Sequence, residues 1–75
     1  MIEKTYVHDH RVHYEDDAEE AMVHLRDSLS REEAEVFFKY AREHERGAKF
    51  EHDGKNYRLK KDYDGEYYLL ERRDD

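Results

Sequence analysis

The chain contains no cysteine, so it can form neither a disulfide nor a thiolate metal centre. It contains no proline and only three glycines. Nothing in it can serve as a flexible or proline-stiffened linker, and 75 residues make one domain, 1–75. No apolar run approaches the roughly 20 residues that cross a bilayer. The opening MIEKTYVHDH lacks the apolar core of a secretory leader. These absences predict a cytoplasmic protein without a membrane partner. Large aliphatic and phenylalanine side chains are also scarce, 13 of 75 for Leu, Ile, Val and Phe together. A chain this short buries only about 60% of the surface its unfolded form exposes. With so thin a core and no covalent staple, self-association is a natural source of further buried area, and a homodimer is expected.

What the chain does have is charge and tyrosine. Charged residues make up 47% of it and the net charge is −7. That balance lies close to the disordered class. Seven tyrosines pull the other way, because each can bury its ring while keeping its hydroxyl wet. The charge is unevenly placed. Residues 1–35 hold 11 acids against 4 Lys and Arg, whereas residues 36–75 hold 10 against 10. The whole excess sits in the first half.

Local patterns predict an α+β fold: an N-terminal strand, an antiparallel helical hairpin, then a three-stranded antiparallel meander packed on the helices. Residues 2–14 alternate loosely, with Ile2, Tyr6, Val12 and Tyr14 on one parity. This suggests one strand, or a short hairpin turning near Asp9. A helix over 18–28 follows from Ala18, Ala21, Met22, Leu25 and Leu29, spaced as one buried stripe. Asp17 and Glu20 are placed to cap it. A second helix over 31–46 has Ser30 and Glu33 as a capping box, a core stripe of Ala34, Phe37, Phe38 and Ala41, and Gly47 as its stop.

Strands 48–52 and 55–61 flank Asp53-Gly54, a strong two-residue hairpin signal. That turn sets Phe50 opposite Tyr57 and Ala48 opposite Leu59. A second turn at Asp64-Gly65 leads into strand 66–72 and sets Leu59 opposite Leu70 and Arg58 opposite Glu71, with Tyr67 and Leu69 on the other face.

This frame could carry three chemistries. His8, His10 and His13 cluster, and two imidazoles on one strand face can share a zinc or nickel ion or act as a pH sensor. Surface histidines on a polar strand are the commoner case. No HExxH pair and no glycine-rich phosphate loop occur, and the two serines, Ser28 and Ser30, lie between the helices. The sequence gives no reason to expect an enzyme or a cofactor. Lys55, Arg58, Lys60 and Lys61 mingle with Tyr57, Tyr63, Tyr67 and Tyr68 as on a base-stacking sheet. The net charge of −7 opposes a polyanion, so direct nucleic-acid binding is not expected.

The stretch YEDDAEEA, residues 14–21, is the most unusual feature. Carboxylates in a first helical turn favour the helix dipole by about 0.3–1 kcal/mol each, but two or three suffice for that. Further acids repel one another, and Asp16, Glu20 and Asp27 fall at i, i+4 and i+11 on the face away from the core stripe. Such a ridge presents charge much as a nucleic-acid backbone does, and would attract a basic nucleic-acid-binding protein. Small acidic inhibitors of this character are a strategy of phages and mobile elements. The expected partner surface is Glu15, Asp16, Asp17, Glu19, Glu20 and Asp27, with Glu32, Glu33 and Glu35 as a second patch. Val36, Tyr40, Tyr67 and Leu69 lack an obvious partner within the chain and are the expected dimer contacts.

Overall fold

A computed structural model describes residues 2–62, 64 and 66–73. Within them the chain forms strands β1 (Glu3–Val7) and β2 (His10–Tyr14), a 3-10 turn (Asp16–Ala18), helix α1 (Glu19–Val23) and a π-helical turn (His24–Ser28). Helix α2 (Arg31–Glu43) and strands β3 (Ala48–His52), β4 (Lys55–Asp62) and β5 (Tyr67–Arg73) complete it. The class is α+β, and no helix of the described residues is long and apolar enough to cross a membrane.

The sheet has five strands in the order β1-β2-β5-β4-β3. Strands β3, β4 and β5 pair antiparallel in the registers read from sequence: Phe50 faces Tyr57, Ala48 faces Leu59, Leu59 faces Leu70, and Arg58 faces Glu71. The meander is not the whole sheet, however. Of the two arrangements open for the N-terminal segment, it takes the hairpin and not the single strand, turning at His8 and Asp9, both with positive φ (49° and 70°). Its second strand joins β5 in parallel, with Val12 opposite Tyr68 and Tyr14 opposite Leu70. A parallel neighbour of this kind needs a long crossover, and the helical segment between β2 and β3 supplies part of it.

The hairpin also corrects the face assignment. Chain reversal at residues 8–9 puts Val7 on the core side with Val12 and Tyr14, and turns Tyr6 outward. Ile2 and Tyr6, grouped with the core parity from sequence, are accordingly exposed.

The core lies between the helical segments and one sheet face. Val7, Val12, Leu25, Phe38, Tyr57, Leu59 and Leu70 are its largest fully buried side chains. Each large apolar one stabilises the fold by about 1.5–3 kcal/mol relative to exposure. Ala18, Ala21, Met22 and Leu25 form the first buried stripe, and Ala34, Phe38 and Ala41 the second. Phe37 and Phe50 pack against the cluster with ring centroids 5.2 Å apart.

The helix termini differ in how closely they follow sequence. Ser30 and Glu33 make the full capping box. Asp17 does not cap the first helix. The chain enters through a 3-10 turn in which the Ala18 amide donates to the Glu15 carbonyl, and no side chain caps it. Buried Ala18 anchors that tighter turn against the core. Helix α2 ends at Glu43 rather than 46, because His44 is already extended. Gly47 then takes φ +81°, and a Cβ there would stand 2.4 Å from the Leu59 carbonyl oxygen. The Asp64-Gly65 turn and the chain end lie partly outside the described residues.

Candidate functional site

The acidic layer is built on the helical side. Asp16, Asp17, Glu19, Glu20, Asp27, Glu32 and Glu33 are exposed, and Glu15 and Glu35 are half-buried. Folding holds them there because the helically spaced Ala18, Ala21, Met22 and Leu25, and Ala34, Phe38 and Ala41 on α2, enter the core.

Several of these carboxylates have partners within the chain. Asp27 accepts two hydrogen bonds from Arg26, each 3.0 Å, and the guanidinium holds its carboxyl below the ordinary range. Glu20 accepts from Lys55 Nζ at 3.4 Å. Glu33 accepts from the Ser30 amide at 2.9 Å as part of the cap, which lowers its pKa. Glu35 accepts from Arg42 at 2.8 Å and lies 2.8 Å from His10 Nε2; Arg42 is the main cause of its lowered pKa. By contrast, Asp16, Asp17, Glu19 and Glu32 make no ion pair among the described residues.

The regular i, i+4, i+11 ridge expected of Asp16, Glu20 and Asp27 does not survive the fold. Asp16 lies in the 3-10 turn, Glu20 in α1 and Asp27 in the π-helical turn, so one α-helical spacing does not describe all three. What remains are unpaired Asp16, Asp17 and Glu19 at the start of the first helical segment and Glu32 in the first turn of α2, with partnered Glu20 and Asp27 between them in the chain.

The sequence-derived histidine set is dispersed. His8 sits in the β1–β2 turn and its Nε2 bonds the carbonyls of Leu25 and Leu29. His10 is on the core-side face, stacked on Phe38 at 4.2 Å. His13 is on the opposite face, stacked on Tyr67 at 3.8 Å. The fold therefore does not bring these three imidazoles together, and no group of three potential metal ligands forms among the described residues.

The basic and aromatic set of the last strands divides likewise. Tyr57 and Tyr68 are buried, Lys61 lies over the Tyr68 ring at 5.3 Å, and Lys55 reaches Glu20. Arg58, Lys60 and Tyr67 face the other way, with Arg58 Nε bonded to Glu71 at 2.7 Å. Tyr63 lies outside the described residues.

The expected dimer contacts fall on two surfaces. Val36 and Tyr40 are exposed on α2, and Tyr67 and Leu69 are half-buried on the sheet face away from the helices. Val36 and Tyr40 border a groove of about 600 Å³, together with Phe37, His44, Gly47 and Ala48. Sequence reading assigned Phe37 to the core and Gly47 to a helix stop, and so missed the groove. Its only signal was an apolar arc on α2 wider than one packing partner requires. Sequence reading also missed the cations that β1 and β2 add to the open sheet face, Lys4 and Arg11, because the hairpin that turns them outward was not fixed by local pattern.

No family model, no curated protein and no solved structure matches this chain.

Proposed function

We propose that the protein is a non-enzymatic interaction module whose acidic helical side binds a basic, nucleic-acid-binding protein and blocks or modulates it. The observation that carries this reading is the set Asp16, Asp17, Glu19 and Glu32: exposed, unpaired among the described residues, and more than helix capping requires. Layering of charge strengthens it. The cations Lys4, Arg11, Lys49, Arg58 and Lys60 lie on the sheet face away from the helices, so they do not screen the acidic side. A basic partner is then steered to one side of the molecule.

The non-enzymatic part rests on the titratable groups. The carboxylates with displaced pKa values owe the displacement mainly to an adjoining arginine or the Ser30 cap, not to a secluded pocket. The Ser30 hydroxyl accepts from the Glu33 amide at 3.2 Å. An exposed excess of carboxylates on one side is the general character of the small acidic inhibitors carried by phages and mobile elements.

The test is capture on immobilised protein, comparing the native chain with D16N/D17N/E19Q/E32Q. The native chain should retain basic nucleic-acid-binding proteins. Duplex DNA should displace them, and so should salt raised from 0.15 M towards about 1 M, where the screening length falls from about 8 Å to about 3 Å. The tetra-amide variant should stay folded by circular dichroism and lose the capture. Equal retention by both proteins would dispose of this reading.

A further inference from the structure

Strand β3 is the outer strand on its side of the sheet. Its turn to β4, Asp53-Gly54, has positive φ at both residues (53° and 75°), as a two-residue hairpin turn requires. Such a turn makes His52 and Lys55 a hydrogen-bonded pair. Alternation then directs the backbone N–H and C=O of Lys49 and Glu51 away from β4 and toward the open edge. An unpaired edge of this kind is a template for another strand.

The side chains along that edge are self-complementary. Phe50 is half-buried at the centre, with exposed Lys49 before it and exposed Glu51 after it. If β3 meets a second copy of itself antiparallel about a two-fold axis at Phe50, Lys49 stands opposite the second copy's Glu51. Glu51 likewise stands opposite the second copy's Lys49. Both are hydrogen-bonded positions, so two cross-strand ion pairs form together with the backbone ladder. A slip to the next register of the same hydrogen-bonding phase sets Lys49 against Lys49, or Glu51 against Glu51. One register is therefore favoured and its neighbours are penalised. The other edge lacks this order: about Thr5, Lys4 would meet Tyr6 and Glu3 would meet Val7.

The helix side of the same edge is short of cover. Val36 is 67% and Tyr40 50% exposed. Both line a groove that reaches Gly47, Ala48 and Lys49, at the start of β3. A two-fold axis through Phe50 brings the α2 flanks of two copies together over a continuous ten-stranded sheet. It also sets the two half-buried Phe50 rings opposite each other.

We infer that the edge of β3 and the adjoining flank of α2 form an isologous interface with a second copy of this chain, in the register fixed by Lys49 and Glu51. This does not depend on the acidic side, which lies on other residues. Tyr67 and Leu69, on the open sheet face, take no part in it.

Sedimentation equilibrium over a concentration series reaching about 1 mM, the weak end of specific association, tests it. The native chain should dimerise. K49E and E51K should each weaken the dimer roughly tenfold or more, since two attractive pairs become two repulsive ones. An equimolar mixture of K49E and E51K should recover native-like dimers, because the mixed pair sets two acids against two cations. The doubly reversed K49E/E51K chain should dimerise by itself. Circular dichroism confirms that each variant is folded, and the doubly reversed chain provides the reading if a single variant is not. A native chain that stays monomeric throughout overturns the interface. So does a dimer indifferent to both single reversals, or a mixture that gains nothing.

Discussion

The Nε2–H of His8 is shared between two backbone carbonyls, Leu25 at 3.0 Å and Leu29 at 3.1 Å. The winding of the chain explains why they are free. In the π turn the Leu29 amide donates to the His24 carbonyl at 3.1 Å. The next amide, Ser30, donates to Glu33 in the capping box at 2.9 Å. No helical amide is left for the Leu25 carbonyl, and a side chain from the β1–β2 turn takes its place.

Removing that donor should therefore be costly. His8→Ala is expected to lower the unfolding free energy by about 1–3 kcal/mol, the cost of part-buried carbonyls left without a partner. His8→Gly separates the causes. It relaxes the left-handed backbone at φ 49° but still loses the bond. Urea denaturation with His8→Ala as stable as the native chain would show that the bond contributes nothing, and the difference between the Ala and Gly variants measures the backbone part.

Tyr57 presents the opposite situation. Its ring is fully buried and its hydroxyl has no hydrogen-bond partner among the described residues. Tyr57→Phe removes the unsatisfied group while keeping the ring that faces Phe50. The variant should be at least as stable as the native chain, with a gain of up to about 1 kcal/mol, read from the midpoint of a denaturant titration. A loss of stability would mean that the hydroxyl does useful bonding.

Two glycines should respond unequally to alanine. At Gly47 a Cβ meets backbone, the Leu59 carbonyl oxygen at 2.4 Å, and φ is +81°. At Gly54 φ is +75° but nothing lies within 4 Å of the added carbon. Gly54→Ala should cost only the left-handed penalty of about 1–2 kcal/mol. Gly47→Ala should cost clearly more, because β4 or the α2–β3 connection has to move. Equal melting temperatures for the two variants would contradict the close approach at Gly47.

The pH dependence should have two separable parts. Glu35 is held below its ordinary value of 4.5, chiefly by Arg42. A depressed carboxyl contributes stability that is complete above the unfolded value and is lost as pH falls through the folded one. Glu35→Gln should therefore flatten the decline below about pH 4.5.

His13 acts earlier. Burial chiefly, then Lys4 and Arg11, push its pKa below 6.5. The unfolded chain takes up that proton first, so stability falls as pH drops from about 6.5 toward the folded value. His13→Phe retains an aromatic ring beside Tyr67 and should remove this earlier decline. It should leave the carboxylate limb unchanged in thermal melts taken across pH 4–7.

Where the controlling interactions are close in sequence, the residues alone determined the outcome. The Asp53-Gly54 turn fixes the Phe50–Tyr57 and Ala48–Leu59 registers, and the short β4–β5 connection fixes Leu59 opposite Leu70. Ser30 and Glu33 cap α2 within three residues of each other. The buried stripes of both helical segments follow from spacing alone. What tertiary structure decided involves distant partners. Whether residues 2–14 make one strand or two depends on β5, which pairs with β2 in parallel from more than 50 residues away. The 3-10 and π winding of the first helical segment depends on Ala18 being seated in the core and on His8 receiving freed carbonyls from across the fold. The division of nine acidic residues into paired and unpaired ones depends on where Lys55, Arg42 and His10 arrive. Local propensity can place a carboxylate on a surface, but only the packed chain decides which cations reach it.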